Sequence, residues 1–297
     1  MKRLLFIGWL CFLVLSSAWS QEKPNFTRAE DVIYGRKFGT ALTLDVVQPA
    51  SPNGHGILVM ISGGFFSSHD AINPAFFKAL LDRGYTVLAV VHGSQPKFTI
   101  PEIAEDIHRA VRFIRHHAAK YGINPDHLGI TGGSAGGHLS LTMATQGAQG
   151  KTESKDPIDR ESSAVQAVAC FFPPTDFLNW GAPGVDAVGV GPLAQFKPAF
   201  GPRSDTAESR QTYGQEISPL NFVTSNLPPT LIIHGDADRL VPIQQAELFV
   251  KRAKEVKTTV KLVVREGKDH GWKEMGADMS VFADWFDEHL RGLKAGQ

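Results

Sequence analysis

Cysteine is scarce in this sequence, and neither sign of charge is in excess. Only Cys11 and Cys170 occur in 297 residues, and Cys11 lies in an N-terminal segment that we expect to be removed. A single remaining cysteine cannot form an intramolecular disulfide. Thirty Lys and Arg residues balance thirty Asp and Glu residues, so no net charge attracts nucleic acid or an anionic membrane. The composition therefore argues against a disulfide-stapled domain and against nucleic-acid partners.

Apolar runs long enough to span a bilayer are also lacking, although a short run stands at the N-terminus. Two basic residues precede an apolar run from Leu4 to Leu15, which falls short of the roughly twenty residues that a membrane-spanning helix needs. The small residues Ala18 and Ser20 then suit cleavage after Ser20. We therefore expect residues 1–20 to be a secretory signal peptide. Residues 21–297 would form one domain, exported to the periplasm or beyond and not attached to the membrane.

Short apolar runs recur along the rest of the chain, and helical patterns separate them. Continuous apolar runs are typical of strands buried on both faces of a parallel sheet, whereas the first two segments alternate and predict a hairpin. The clearest helical pattern begins at Pro101. The eight predicted strands cover residues 33–38, 42–47, 57–61, 86–91, 128–131, 165–172, 230–234 and 260–264. The alternation predicts an α/β fold with one mostly parallel eight-stranded sheet and helices on both faces.

One long segment, Phe177–Gln215, fits neither pattern and is called the insertion below. It contains many Gly and Pro residues and no sustained periodicity. Its aromatic residues Trp180, Phe196, Phe200 and Tyr213 are expected to be exposed. Connections of this length are uncommon in compact domains unless they are functional. We therefore predict a small cap over the site, with a surface insertion as the alternative.

The most informative motif is Gly132-Gly133-Ser134-Ala135-Gly136. This G-x-S-x-G pattern follows a short apolar strand and precedes a helical pattern, which is the context of a nucleophile elbow. The N-terminus of the following helix favours developing negative charge because its first N–H groups have no partner within the helix. The motif predicts Ser134 as a nucleophile.

A serine hydroxyl needs a neighbouring base, and the base needs a carboxylate to orient it. Four histidines follow Ser134, namely His138, His234, His270 and His289. His270 lies in a loop directly after the last predicted strand, where a parallel sheet gathers its site residues. His138 and His289 fall on predicted helices, and His234 ends a strand. We therefore predict His270 as the general base.

Two carboxylates compete for the orienting role in the loop after the seventh predicted strand. Asp236 and Asp238 stand two positions apart, and spacing alone does not separate them. Either one could instead accept hydrogen bonds within the turn or cap the next helix. The pair also resembles part of a calcium loop, but no third ligand follows at the required spacing. We expect no metal and no cofactor.

At these residues the chain resembles the esterase/lipase branch of the α/β-hydrolase superfamily. The resemblance is to the hormone-sensitive-lipase-like, feruloyl-esterase-like and prolyl-oligopeptidase-like serine hydrolases. Residues 132–137 match the family's G-x-S-A-G-G elbow, residues 234–242 match its acid loop, and His270-Gly271 matches its histidine loop. The resemblance implies the α/β-hydrolase fold and assigns the acid role to Asp238.

An oxyanion hole requires two backbone N–H donors. We expect one from Ala135, which follows the nucleophile, and the other from Gly64 or Phe65 in the turn after the third predicted strand. This turn resembles the family's H-G-G-G-W sequence, with Ser62 in place of His and Phe65 in place of the third Gly. The alternative is a tight turn without a catalytic role. His92, which stands where the family often has Tyr, either faces the acyl pocket or shapes its loop.

The resulting hypothesis is a serine esterase that acts through an acyl-enzyme intermediate. Its substrate would be a small-molecule ester or an ester linked to a saccharide. A serine peptidase related to prolyl oligopeptidase uses the same three residues and is one alternative. A binding module that has lost catalysis is another. The sequence carries no indication of the oligomeric state.

Overall fold

The computed structural model describes residues 25–293, and the predicted signal peptide at residues 1–20 lies outside them. Within the described part, no helix is both long enough and apolar enough to cross a membrane. The strands are β1 (Phe26–Lys37), β2 (Thr40–Pro49), β3 (Gly56–Ile61), β4 (Thr86–Val91), β5 (Leu128–Gly133), β6 (Ala167–Phe171), β7 (Thr230–Gly235) and β8 (Val260–Arg265).

All eight strands join one sheet in the order β1-β2-β4-β3-β5-β6-β7-β8. The β1–β2 and β2–β4 pairs are antiparallel, and the other five strand pairs are parallel. This confirms the predicted mostly parallel sheet and its N-terminal hairpin.

Helices cover both faces of the sheet, as predicted. Leu58 and Met60 of β3 pack toward α2, α3 and α6, whereas Ile57 and Val59 pack toward α1 and α7, because successive side chains of a strand point to opposite faces. The helices are α1 (Lys78–Asp82), α2 (Ile100–His116), α3 (Ala135–Gln146), α4 (Lys197–Phe200), α5 (Ala207–Ile217), α6 (Gln244–Glu255) and α7 (Met275–Arg291). Helix α2 begins one residue before Pro101, where a Thr99–Glu102 capping box ends the preceding loop.

The first strand is longer than its sequence pattern indicates. It was expected at residues 33–38, but β1 begins at Phe26, which pairs with Pro49 of β2. Its register shifts twice, between Ala29 and Val32 and between Ile33 and Gly35. Such irregularities break the two-residue alternation by which a half-buried strand is recognised. The alternation in the sequence therefore did not predict the first half of β1.

The insertion contains more regular structure than expected, including α4 and most of α5. Trp180, Phe200 and Tyr213 are buried rather than exposed, and Phe196 is half-buried. The Phe177 ring stacks on Trp180 and meets Phe200 edge to face. Because these aromatics come from separate short turns, their burial leaves no periodic pattern in the sequence.

The order in which successive strands join the sheet reverses between β3 and β5. From β3 the next strand lies on one side as β4, and β5 lies on the other side. The loops after two such neighbouring strands diverge and leave a crevice at the carboxyl edge of the sheet, where ligands of open α/β sheets bind. The loops after β3, β5, β7 and β8 all reach this edge.

Candidate active site

Ser134 stands at a sharp turn between β5 and α3. Its backbone angles are φ 55° and ψ −120°, a region that residues with a side chain rarely adopt and that is strained. The Ser134 N–H donates to the carbonyl of Phe171 on β6 at 3.1 Å, and its own carbonyl accepts from the N–H of His138 at 2.9 Å. The turn is therefore held at both ends, and Ser134 has the conformation of a nucleophile elbow.

The glycines of the motif let three backbone segments approach one another closely. A Cβ on Gly132 would lie 2.5 Å from the backbone of Gly136, and a Cβ on Gly136 would lie 2.7 Å from the carbonyl oxygen of Met60. A Cβ on Gly137 would lie 2.8 Å from the carbonyl oxygen of Phe171. Side chains here would push α3 away from β3 and β6, so glycine is required by packing.

The three residues expected to form the catalytic machinery come together at this edge. The Ser134 Oγ lies 2.9 Å from the His270 Nε2, and the His270 Nδ1 lies 2.8 Å from the Asp238 Oδ2. Since a carboxylate only accepts, Nδ1 carries the proton and Nε2 is left to accept the hydroxyl proton of Ser134. The Phe172 ring, 4.5 Å from the imidazole between centroids, packs against His270. Hydroxyl, imidazole and carboxylate are thus hydrogen-bonded in series.

Asp238 is buried, and its carboxylate accepts several hydrogen bonds. Its Oδ1 accepts from the N–H groups of Leu240 and Val241 at 2.9 and 2.8 Å. Burial alone would raise the pKa of the Asp238 carboxyl, but hydrogen bonds from His234, His270 and the Val241 N–H outweigh it and hold that pKa well below its usual range. The group is therefore a carboxylate at neutral pH, as an orienting acid must be.

Neighbouring charged residues join the acid loop to the histidine loop. Asp236 does not contact His270, because its Oδ1 accepts from the Gly267 N–H at 2.6 Å. Asp269 accepts from the His270 N–H at 2.8 Å and from the Arg239 N–H at 3.0 Å. Asp236 thus accepts a hydrogen bond from a backbone group, a role that its sequence position left open, whereas the bridge made by Asp269 and Arg239 was not predicted.

The other histidines have structural surroundings. His138 is buried between the rings of Phe65 and Phe177, and burial lowers its pKa to about 4. His234 is buried, and its Nε2 donates to the Val241 carbonyl at 2.8 Å while lying 3.4 Å from the Asp238 Oδ2. Among the described residues, only the His270 imidazole is hydrogen-bonded to the Ser134 Oγ.

The turn after β3 has the geometry of a type I′ turn. Gly63 and Phe66 exchange two backbone hydrogen bonds of 2.9 Å, and the central residues Gly64 and Phe65 have φ of 55° and 63°. A positive φ costs a non-glycine residue on the order of 1–2 kcal/mol, and the buried Phe65 ring compensates by packing on His138 and Phe200. No described residue accepts a hydrogen bond from the N–H of Gly64 or Phe65. The expected donors therefore have no partner among residues 25–293.

Ala135 occupies the first position of α3 and is buried. Its N–H is one of the first four of the helix, which find no intrahelical acceptor. Because a Cβ on Gly136 would meet the carbonyls of Met60 and Ser62, this end of α3 abuts the start of the β3 turn. The N–H of Ala135 and those of Gly64 and Phe65 therefore belong to adjoining segments.

The segment after β4 holds the flanks of this turn. The His92 Nδ1 donates to the Gly93 carbonyl at 2.7 Å, so its Nε2 accepts from the Ser62 Oγ at 2.8 Å. Burial lowers the pKa of His92 to about 4, which keeps the imidazole neutral. The Ser67 N–H and carbonyl both bond the Ser94 hydroxyl, at 2.8 and 2.9 Å. His92 thus shapes its loop, and Ser62 has a buried partner despite departing from the family's His.

A cavity of about 700 Å³ adjoins the turn that holds Ser134, on the face of the sheet that α7 covers. Its largely apolar walls include Phe171, Met275 and Met279, and the backbone of Gly133 forms part of them. Neither Ser134 nor His270 lines it. The cavity therefore meets the nucleophile loop through the residue that precedes the serine.

One cluster outside this site has residue types that bind metals. Ligand atoms of Asp31, Asp45 and His69 lie within 4.8 Å of one another. The Arg28 guanidinium donates to the buried Asp45 carboxylate with its Nε at 2.6 Å. Because Arg28 already supplies the opposite charge, the buried carboxylate does not require a metal ion.

Known proteins resemble this chain along most of its length. The sequence profile of the BD-FAE family matches residues 44–253. The probable carboxylic ester hydrolase LipM of Mycobacterium tuberculosis is 29% identical over 239 residues, which are 78% of this chain and 53% of LipM. The chain spans about half the length of LipM and of two further curated relatives, the esterases LipQ and LipC of the same organism.

Solved structures share the fold. A truncated carbohydrate esterase from gut microbiota superposes with a TM-score of 0.75 at 24% identity, over 91% of this chain and 99% of that one. A bifunctional GH43-CE protein of Bacteroides eggerthii gives a TM-score of 0.70 at 27% identity, over 86% of this chain and 37% of that one. Because the family profile covers residues 44–253 and solved esterases share the fold, the chain belongs to the BD-FAE family and has the α/β-hydrolase fold.

Proposed function

We propose that this chain is a serine esterase that hydrolyses carboxylic esters with Ser134 as nucleophile, His270 as general base and Asp238 as the orienting acid. One observation carries the proposal: hydrogen bonds of 2.9 and 2.8 Å join the three side chains in series. The names of relatives, such as the LipM carboxylic ester hydrolase and the LipQ esterase of Mycobacterium tuberculosis, support the same reaction class.

In the first step, the Ser134 oxygen attacks the ester carbonyl carbon while the His270 Nε2 takes the hydroxyl proton. The carbonyl oxygen becomes an oxyanion, which the N–H of Ala135 and that of Gly64 or Phe65 stabilise. Collapse of this intermediate breaks the ester bond, and the alcohol leaves with the proton from His270. The Asp238 carboxylate stabilises the imidazolium while it carries that proton.

In the second step, water replaces the alcohol. His270 takes a proton from the water as it attacks the acyl-Ser134 ester, and the same N–H groups stabilise the second oxyanion. The acid is released when His270 returns the proton to the Ser134 oxygen. The residues named here complete both steps, so the proposal includes no metal or cofactor.

For the substrate, we propose small carboxylic esters and esters carried by saccharides. Two proteins with the same fold are described as a carbohydrate esterase and as a bifunctional GH43-CE protein, which supports the saccharide class. We further propose that the protein acts outside the cytoplasm after removal of residues 1–20. Their basic start, short apolar run and small residues support this export.

The test compares hydrolysis of p-nitrophenyl acetate and butyrate by the wild type and by Ser134→Ala. We expect the variant to lose at least about 10³-fold in kcat/KM because it has no nucleophile. Ser280→Ala is a matched control, since the exposed Ser280 hydroxyl bonds only the Ala277 carbonyl of its own helix, at 2.7 Å. Undiminished turnover in Ser134→Ala would refute the assignment.

The same proteins should be assayed with acetylated and feruloylated sugars and with a peptide p-nitroanilide. Esters are expected to be cleaved and the anilide to be left intact. Cleavage of the anilide in preference to all of the esters would favour the peptidase alternative. Wild-type protein that hydrolyses none of these compounds and does not react with a fluorophosphonate would be a binding module.

A further inference from the structure

We propose that Gln95 is a positioning residue for the oxyanion hole. Its side-chain amide fixes the orientation of the peptide between Gly64 and Phe65, which supplies one of the N–H donors. The inference rests on the proposed esterase function. Gln95 does not touch the reacting atoms, and it acts through the turn after β3. Its role concerns the direction in which the N–H of Phe65 points.

Gln95 binds both central residues of the turn. Its Nε2 donates to the carbonyl oxygen of Gly64 at 2.8 Å, and its backbone N–H donates to the carbonyl oxygen of Phe65 at 3.2 Å. The backbone bond would survive any substitution other than proline. The side-chain bond is the only one that any described residue makes to the Gly64 carbonyl, so a substitution at Gln95 removes it selectively.

The carbonyl of Gly64 and the N–H of Phe65 belong to one planar trans peptide, so they point in opposite directions. When Gln95 holds the carbonyl toward the β4 loop, the N–H of Phe65 is directed away from that loop. A rotation of this peptide would turn the N–H away from the oxyanion and bring a carbonyl oxygen in its place. Such an oxygen would repel the negative charge that develops in the reaction.

Because of Phe65, the rotated form of the turn is close in free energy to the observed form. The observed turn has a positive φ at both central residues, Gly64 and Phe65, which is the type I′ form. Rotation of the central peptide gives the type II′ form, in which only the first central residue needs a positive φ. Glycine tolerates that position, whereas Phe65 is strained in type I′ and relaxed in type II′. The penalty at Phe65 and the value of one hydrogen bond are of similar size, so the Gln95 bond decides between the two forms.

Apart from the Gln95 amide, no described side chain forms a hydrogen bond to the Gly64–Phe65 peptide. A peptide flip leaves the neighbouring Cα atoms nearly in place, so the Phe65 ring could stay packed on His138 and Phe200. The bonds of Ser62 to His92 and of Ser67 to Ser94 fix only the flanks of the turn. The Gly64–Phe65 peptide itself depends on Gln95.

The test measures kcat and KM with p-nitrophenyl acetate for Gln95→Met, Gln95→Glu and Gln95→Lys. The Met and Glu side chains cannot donate, and we expect kcat to fall about 10- to 100-fold with KM changed by less than about 3-fold, because only transition-state stabilisation is lost. The Lys ammonium can donate to the same carbonyl, so Gln95→Lys should keep most of the activity. Binding of a trifluoromethyl ketone, which forms a tetrahedral adduct, should weaken in parallel with kcat.

Gln48→Met is the matched control. Gln48 is also half-buried, and its Nε2 donates to the carbonyl of Tyr121 at 3.1 Å, away from the catalytic residues. We expect its kcat to stay close to the wild type. A comparison of Gln95→Met with Gln48→Met by thermal unfolding separates loss of stability from loss of positioning. If Gln95→Met did not fold, the Glu and Lys variants, which differ in their ability to donate, would decide.

Several results would overturn the inference. One is a loss in Gln95→Met and Gln95→Glu smaller than about five-fold, which is too small for a displaced oxyanion donor. Another is an equal loss in Gln95→Lys or in Gln48→Met. If Ser134→Ala is inactive while Gln95→Met keeps full activity, only the positioning role fails. If Ser134→Ala keeps its activity, the proposed function itself fails.

Discussion

Asp236 and Asp238 lie in one loop, yet their carboxylates have different hydrogen-bond partners. The Oδ2 of Asp238 lies 2.8 Å from the His270 imidazole, whereas Asp236 accepts from the N–H of Gly267. Only Asp238 is placed to stabilise a positive charge on His270. Both residues are aspartates in the loop after β7, so the difference arises from the direction in which each side chain points.

Replacing each aspartate by asparagine tests this difference. Asp238→Asn should lower kcat about 10³- to 10⁴-fold, because the amide favours the imidazole tautomer that cannot accept the proton of Ser134. Asp236→Asn keeps an oxygen that accepts from the Gly267 N–H, so its kcat should stay within about five-fold of the wild type. Steady-state rates with p-nitrophenyl acetate measure both. An equal loss in the two variants would contradict the assignment of Asp238.

Some of the candidate site residues are marked in the sequence and others are not, for a physical reason. Ser134 lies in a local motif, and His270 follows the last strand, so both are marked by neighbours in the chain. Gln95 and Asp269 act through hydrogen bonds to backbone groups. A bond to a backbone group requires no particular partner residue, so it leaves no motif.

The packing of α3 against the sheet depends on glycine at the start of the helix. Gly136 lies against the carbonyl oxygen of Met60 on β3, and an added Cβ would come within 2.7 Å of it. Gly276 also lies in the first turn of a helix, α7, but an added Cβ would meet no atom within 4 Å. The two positions share their residue type and helical setting and differ in the space around them.

The same substitution should therefore have opposite effects at the two positions. Gly136→Ala should lower the free energy of unfolding by about 1–3 kcal/mol, because the backbone of Met60 has to move. Gly276→Ala should raise it by up to about 1 kcal/mol, because alanine is the better helix former. Urea unfolding followed by circular dichroism measures both. An unchanged stability in Gly136→Ala would show that α3 and β3 are not in close contact.

The elements themselves were predictable wherever one pattern ran without interruption. Five of the strands, β3 to β7, are largely buried, and their apolar runs marked them. The edge strand β8 was also marked by its apolar residues, although none of them is fully buried. The first half of β1 was missed because its register shifts break the alternation. Helix α5 (Ala207–Ile217) was missed because it buries few residues, among them Tyr213 and Ile217, and so carries almost no apolar stripe.

The stability of the folded protein should depend on histidines whose pKa is lowered by burial. Burial lowers the pKa of His92, of His108 and of His138 to about 4, from an ordinary 6.5. Between these values the unfolded chain takes up protons that the folded chain does not bind. Folding is therefore opposed as the pH falls below 6.5, by up to about 1.4 kcal/mol per pH unit for each histidine.

The midpoint of thermal unfolding should fall between pH 6.5 and pH 5. In His138→Gln the fall should be shallower, since one of the three titrating groups is gone and no charged residue among those described perturbs His138. Scanning calorimetry of both proteins at several pH values measures the two slopes. An equal slope in the variant would mean that His138 does not stay neutral when the protein folds.

The whole account depends on Ser134 being an activated nucleophile, and one measurement tests this directly. The protein is treated with a fluorophosphonate and digested, and the masses of its peptides are measured by mass spectrometry. We predict one phosphonyl group per chain, attached to Ser134, with loss of ester hydrolysis in proportion to labelling and no label in Ser134→Ala. A folded wild-type protein that hydrolyses esters while Ser134 stays unlabelled, or that carries the label on another residue, would contradict the account.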